Sequence, residues 1–200
     1  MAAHINELYP ASDPASGFDG NCRAGLYAIL LLPTPCMRCG CATQAAFFWV
    51  PPGHQLLQLG ANPNEDCWQR SSECSLLHRV RWINTDARRF IARWLPGLRL
   101  DASNSNRPAY WLNHCEHCDA AVAALDQENH SLLAWWSNES NLQSCSVIPV
   151  NEQLFAFVEA FSIGDLADSV LESIEVAARC ETSKPESFIE APPKPVFAHG

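Results

Sequence analysis

The sequence contains no long apolar run: its longest, Leu26 to Leu32, falls far short of the roughly 20 residues a helix needs to cross a bilayer. Met1 to Tyr9 has no lysine, no arginine and no apolar stretch, so it does not read as a secretory signal, and a cytoplasmic protein with no membrane association is expected. Catalytic fingerprints are missing as well, with no nucleophile elbow, P-loop or dinucleotide-binding glycine pattern. Positive charge is scarce: 13 Lys and Arg stand against 22 Asp and Glu, a formal net charge of -9. General affinity for nucleic acid or an anionic membrane requires a cationic face, and this balance disfavours both.

The 200 residues, 48% of them hydrophobic, suffice for one core of ordinary size. Residues 1–21, rich in Ala, Ser, Pro, Asp and Gly, read as a loosely ordered lead-in to a single domain over 22–180. Residues 181–200, with four prolines and scattered charge, read as a disordered tail. The charge is unevenly spread. Residues 70–107 hold eight of the basic residues against Glu73, Asp86 and Asp101, whereas 108–200 carry fourteen acids against three bases. Such runs are ordinarily solvated faces.

Periodicity predicts strands over Ala24–Leu32, Ala42–Val50, Leu76–Ile83, Ala109–Asn113, Ala120–Leu125 and Val147–Val150. Leu154–Phe161 fits a strand or a helix. A helix is expected from Asp86 to Leu95, capped by Asn84 or Thr85, with Ala87, Phe90, Ile91, Trp94 and Leu95 inward and Arg88, Arg89 and Arg93 outward. A second amphipathic helix is expected from Asp165 to Arg179. Residues 54–75 give no clear element, with a turn at Asn62-Pro63-Asn64 and with Cys67 and Cys74 in a polar loop.

Ten cysteines in a chain without an export signal point to metal ligation and buried thiols rather than a disulfide scaffold. Four of them form two Cys-x-x-Cys turns, Cys36-Met37-Arg38-Cys39 and Cys115-Glu116-His117-Cys118, each flanked by strand-like sequence. A tight turn presents two thiolates to one ion, and two such turns complete the tetrahedron that structural zinc prefers. One Zn2+ per chain on Cys36, Cys39, Cys115 and Cys118 is therefore expected, with Cys41, His114 and His117 as competing donors. Cys22, Cys67, Cys74, Cys145 and Cys180 are expected to be buried thiols. The fold expected is α+β: zinc-ribbon hairpins carrying an inserted segment between Cys39 and Cys115, followed by a C-terminal amphipathic helix.

Pro35-Cys36-Met37-Arg38-Cys39-Gly40, together with Tyr110-Trp111-Leu112-Asn113-His114-Cys115-Glu116-His117-Cys118, resembles the paired signature of a group of uncharacterised bacterial zinc-ribbon proteins. The resemblance spans roughly residues 30–165 and implies the metal site but no activity. Asp119 stands where ribbons often place glycine after the last cysteine, and a strained but intact left-handed turn is expected there.

The functional reading is a non-catalytic zinc-binding protein that recognises a protein partner in an interaction or regulatory role, with Arg88, Arg89 and Arg93 as candidate partner-binding residues. Trp135-Trp136 and Phe47-Phe48-Trp49 are the aromatic groups whose exposure would mark an interface. One alternative is a nucleic-acid-binding ribbon using the basic segment 79–99. Another is a zinc hydrolase or deaminase, since His114-Cys115-Glu116 and Pro35-Cys36-Met37-Arg38-Cys39 contain pieces of the deaminase signature. Those pieces lie in the wrong order, and that reading leaves Cys115 and Cys118 without a role.

Overall fold

The apolar run that begins at Tyr27 becomes an interior strand, next to one edge of its sheet, with apolar side chains buried on both faces. Tyr27, Ile29 and Leu31 enter one hydrophobic cluster and Ala28, Leu30 and Leu32 enter another, as expected when successive side chains alternate between the faces of a covered sheet. The structure, a computed structural model, describes residues 20–62, 65–101, 108–122 and 145–163, with side chains as far as Glu159.

In chain order the elements are β1 (Cys22–Ala24), β2 (Tyr27–Pro35), β3 (Ala42–Val50), β4 (Gln55–Gln58), β5 (Cys67–Arg70), β6 (Ser75–Ile83), α1 (Thr85–Trp94), β7 (Leu98–Asp101), β8 (Tyr110–Asn113), β9 (Ser146–Val150) and β10 (Leu154–Ile163). Eight strands form one antiparallel sheet in the order β5-β4-β1-β10-β6-β3-β2-β9, and β7 pairs with β8 separately. The described chain is thus mostly antiparallel sheet with one helix. Residues between Cys39 and Cys115 supply β3 to β8 and α1, so this stretch builds much of the main sheet rather than decorating a small ribbon.

Hairpin β2–β3 runs in unbroken register from Ala28 opposite Trp49 to Pro35 opposite Ala42, which brings residues 36–41 to its tip. Its second strand alternates like its first, with Ala46, Phe48 and Val50 on one face and Ala45, Phe47 and Trp49 on the other. Phe47-Phe48-Trp49 is therefore core, and its buried rings are no exposed interface. Leu154–Ile163 is a strand, held between β1 and β6.

Helix α1 lays Ala87 and Ile91 on the larger cluster, with Phe90 and Leu95 packed beside them. Its capping residue, Asn84, uses its side chain elsewhere: Nδ2 donates to the Gln153 carbonyl and Oδ1 accepts from the Phe155 amide, tying the helix entry to β10. The irregular alternation of His78, Arg79 and Arg81 also has a cause. Val80 faces Val158 and Trp82 faces Phe157, so Arg81 is the extra residue of a bulge, and Arg79 takes φ 50°.

The chain enters the sheet before Cys22. Asn21 donates its amide to Ala156 and exchanges two side-chain hydrogen bonds with the Val158 backbone, 2.7 and 2.8 Å long. Gly20 beside it has φ 80°, and a Cβ there would collide with the Ala156 carbonyl. The expected helix over 165–179, the tail after 180, Trp135-Trp136 and Cys180 lie outside the described residues. Among the described residues, no helix is long and apolar enough to cross a membrane.

Two histidines built into this sheet make stability pH-dependent. His54 is 2% exposed, its Nδ1–H donates to the Pro51 carbonyl at 2.8 Å, and the Ser75 hydroxyl lies 3.2 Å from Nε2 as donor. Burial holds its pKa below the ordinary 6.5, and burial followed by the nearby Arg79 charge does the same to His78. The unfolded chain then binds protons that the folded chain refuses. Stability is full above the unfolded value of about 6.5 and falls as pH drops through and below it. Urea midpoints measured from pH 7.5 to 5.5 in excess zinc should decline, and His54→Gln should flatten the slope.

Candidate metal centre

The two cysteine turns are built alike, bond for bond. In the first, the Cys36 amide donates to the Cys41 carbonyl at 2.9 Å and Gly40 donates back to the Cys36 carbonyl at 2.8 Å. In the second, Cys115 donates to Ala120 and Asp119 donates back to Cys115, both at 2.9 Å. The residue after the second cysteine is left-handed in each case, Gly40 at φ 73° and Asp119 at φ 58°. The first turn closes hairpin β2–β3. The second follows β8, and a bridge between His114 and Ala121 closes it.

Amides converge on the sulfurs in the same duplicated pattern. The N–H groups of Cys39 and Arg38 approach the Cys36 sulfur and hold its thiol down to about 6. Burial opposes ionisation of Cys115, but the N–H groups of His117 and Cys118, together with the Cys39 thiol, outweigh it and lower that thiol too. Cys39 and Cys118 each receive one N–H, from Cys41 and Ala120. Burial and the neighbouring thiols override that help, so Cys39 is pushed up to about 12 and Cys118 is raised. Four negative charges cannot share so small a volume without a cation between them.

The four sulfurs lie within 4.8 Å of one another, with Cys36 and Cys118 at 3.6 Å and Cys39 and Cys115 at 3.7 Å. A tetrahedron with Zn–S bonds of about 2.3 Å has edges of about 3.8 Å, so the two cross-turn spacings are those a bound ion would set. Cys36 and Cys115 are buried with Val122, while Cys39 is exposed and Cys118 partly so. Among the described residues this is the one cluster of potential metal ligands, and it consists of the four predicted cysteines.

The competing donors are placed elsewhere. His114 is buried with Nδ1 3.1 Å from the Leu112 carbonyl and Nε2 2.9 Å from Asp101 Oδ2, so both ring nitrogens are engaged away from the sulfurs. The exposed Cys41 directs its thiol to the Cys39 carbonyl, and His117 reaches the cluster through its amide, 3.4 Å from Cys115 Sγ. Cys67 is exposed rather than buried, because it lies on the short edge strand β5, where Trp68 alone is half-buried, against the Arg23 guanidinium.

Two supporting residues carried no assigned role in the sequence reading. Asn113, 8% exposed, accepts the Ala46 amide at 2.8 Å and donates to the Ala46 carbonyl at 3.0 Å. Beyond Phe48, β3 has no further pairing with β6 toward the hairpin tip, and this side chain stands in for a neighbouring strand. Thr43 adds a contact from its hydroxyl to the Glu116 amide at 3.4 Å. The available signals were the place of Asn113 in the signature that precedes the second cysteine pair and its being a polar residue on a strand two residues before Cys115.

The left-handed positions yield a prediction. An added Cβ at Gly40 would meet nothing within 4 Å, so only backbone conformation resists substitution there. Gly40→Ala should cost about 1 kcal/mol in the zinc-loaded protein by urea denaturation. Gly40→Asp should cost less, since aspartate tolerates this conformation better and Asp119 already occupies the equivalent place. Asp119 also pairs with Arg99 at 2.7 Å, an exposed contact that adds little.

The basic residues of α1 are solvent-facing but already engaged. Arg88 Nε donates to the Ile83 carbonyl at 2.9 Å and its guanidinium lies 6.0 Å from the Trp82 ring centre. Arg89 pairs with Asp86 at 3.4 Å, and Arg93 covers Trp94 at 4.7 Å. Compared with known proteins, the chain matches no family model, no curated protein and no solved structure. The four-cysteine cluster therefore carries the functional argument.

Proposed function

We propose that the chain is a non-catalytic zinc-binding protein, with one structural Zn2+ held by Cys36, Cys39, Cys115 and Cys118. The observation that carries this reading is the pair of matching turns, which brings four thiol groups to tetrahedral spacing from opposite sides. Four protein thiolates fill the coordination sphere of zinc, whereas a catalytic zinc keeps a position for water or substrate. A deaminase would use Glu116 beside a zinc-bound water, take His114 as a ligand and leave Cys115 and Cys118 off the ion; here all four sulfurs converge and Glu116 is exposed. All cysteines among the described residues are free thiols, in keeping with a reducing compartment such as the cytoplasm.

The zinc links hairpin β2–β3 to the segment after β8, and the surface so fixed is read as a site for a protein partner in an interaction or regulatory role. Arg88, Arg89 and Arg93 are the proposed contact residues. Their neighbours Trp82, Trp94 and Asp86, with the net charge of -9, favour a protein over a phosphate backbone. Titration of the zinc-loaded chain with duplex and single-stranded DNA and RNA separates the readings. No binding is expected at physiological salt. Binding that falls steeply with added salt and disappears when all three arginines become alanine would instead establish the nucleic-acid reading.

A further inference from the structure

The four cysteines differ in exposure. The first cysteine of each turn, Cys36 and Cys115, is 2% exposed, while the second, Cys39 and Cys118, reaches solvent. The two thiol contacts aligned as hydrogen bonds each join an exposed or half-exposed cysteine to a buried one, and both run between turns: Cys39 to Cys115 at 3.7 Å and Cys118 to Cys36 at 3.6 Å. An attacking molecule thus meets a sulfur whose nearest aligned partner lies in the other turn. We propose that the centre is a peroxide-responsive release point, in which disulfides form across the site, Cys39 to Cys115 and Cys36 to Cys118, and the ion is expelled.

This inference rests on the metal-centre reading above. In the first step the thiolate of Cys39 or Cys118 attacks one oxygen of hydrogen peroxide; the O–O bond breaks, hydroxide leaves, and a sulfenic acid forms. The facing buried thiolate then attacks that sulfur, the S–O bond breaks and a second hydroxide leaves. Two thiolates have lost two electrons and the peroxide has gained them. Zinc loses two of its four ligands, and a second peroxide oxidises the remaining pair.

The cross-turn pairing has a structural consequence. It keeps hairpin β2–β3 joined to the segment around Cys115 after the ion has gone, whereas chelation with reduced thiols leaves them unlinked. The oxidised, zinc-free chain should therefore melt closer to the zinc-loaded protein than the chelated, reduced chain does.

The sequence makes the pairing readable. Arg38 lies between Cys36 and Cys39, and Glu116 between Cys115 and Cys118, so combined cleavage after arginine and after glutamate puts each of the four cysteines on its own peptide. Zinc content of the full chain is measured first, hydrogen peroxide is added, released zinc is titrated, and the digest is mapped by mass spectrometry. A Cys41→Ser variant is carried in parallel, because Cys41 shares the Cys39 peptide. The expected result is loss of one zinc per chain with Cys39–Cys115 and Cys36–Cys118 peptides in both proteins. Disulfides within a turn, bridges to Cys41, or retention of zinc while Cys67 oxidises would overturn the proposal. Absence of zinc before peroxide is added would overturn the metal-centre reading and this proposal with it, and is seen separately from any oxidation result.

Discussion

Cys115→Ser is expected to abolish stoichiometric zinc binding and to lower the melting temperature of the protein by on the order of 20 °C. Structural zinc in small domains supplies on the order of 10 kcal/mol of apparent folding free energy. In a chain of this length each kcal/mol moves the midpoint by about 2 °C or more. The loss is comparable to the whole stability of an ordinary domain, so unfolding of part of the population at room temperature is also expected. Cys115 is the informative choice because it is buried and its carbonyl and amide close the second turn, so serine replaces the sulfur without altering the backbone. Scanning calorimetry with and without chelator checks the result, since the variant should no longer respond to the chelator. Cys67→Ser, at an exposed thiol outside the cluster, should match the parent protein in zinc content and melting.

Asn113→Leu is expected to cost about 2 to 6 kcal/mol by urea denaturation of the zinc-loaded protein. Leucine fills much the same volume but leaves the Ala46 amide and carbonyl without the partners they have now, at about 1 to 3 kcal/mol for each group stranded away from water. Asn113→Asp tests the geometry more finely. It keeps an acceptor for the Ala46 amide but turns a second carboxylate oxygen toward the Ala46 carbonyl, where Asn113 now donates. The aspartate variant should fall between the parent and the leucine variant. Zinc affinity should weaken in both, because β8 and the second turn are positioned on β3 partly through this side chain.

These expectations rest on features that were unequally legible in the sequence. The four clustered cysteines could be read directly, since Cys-x-x-Cys spacing flanked by strand-like residues reflects local chemistry that the rest of the fold has only to accommodate. Strands β2, β3 and β6 were legible because their apolar residues lie in runs too short for helices and bounded by glycine, proline or turn residues. Helix α1 announced itself by a 3.6-residue period with arginines on its outer side.

Other elements were hidden for physical reasons. Strands β4 and β5, where no element was legible, are four residues each at one end of the sheet, and Leu56 is the one side chain they send into the core, which leaves little hydrophobic signature. Strand β7 is likewise short, and its partner β8 lies beyond a long polar stretch, so local pattern could not announce the pairing. The β10 segment was ambiguous between strand and helix, and only its long-range pairing with β1 and β6 decides the matter. The size of the sheet had the same source: β10 lies between β1 and β6, strands distant from it in sequence. At the metal centre, the sequence identified the sulfurs but not Asn113 or Thr43, whose roles exist only once β3 and β8 are brought together.

Metal analysis of the purified full chain, paired with thermal melts before and after chelation, tests the central claim most directly. One zinc per chain, and a melting transition that drops on its removal and returns when zinc is restored, is the predicted result. A chain that is folded without metal, melts at the same temperature after chelation and takes up no zinc would contradict it.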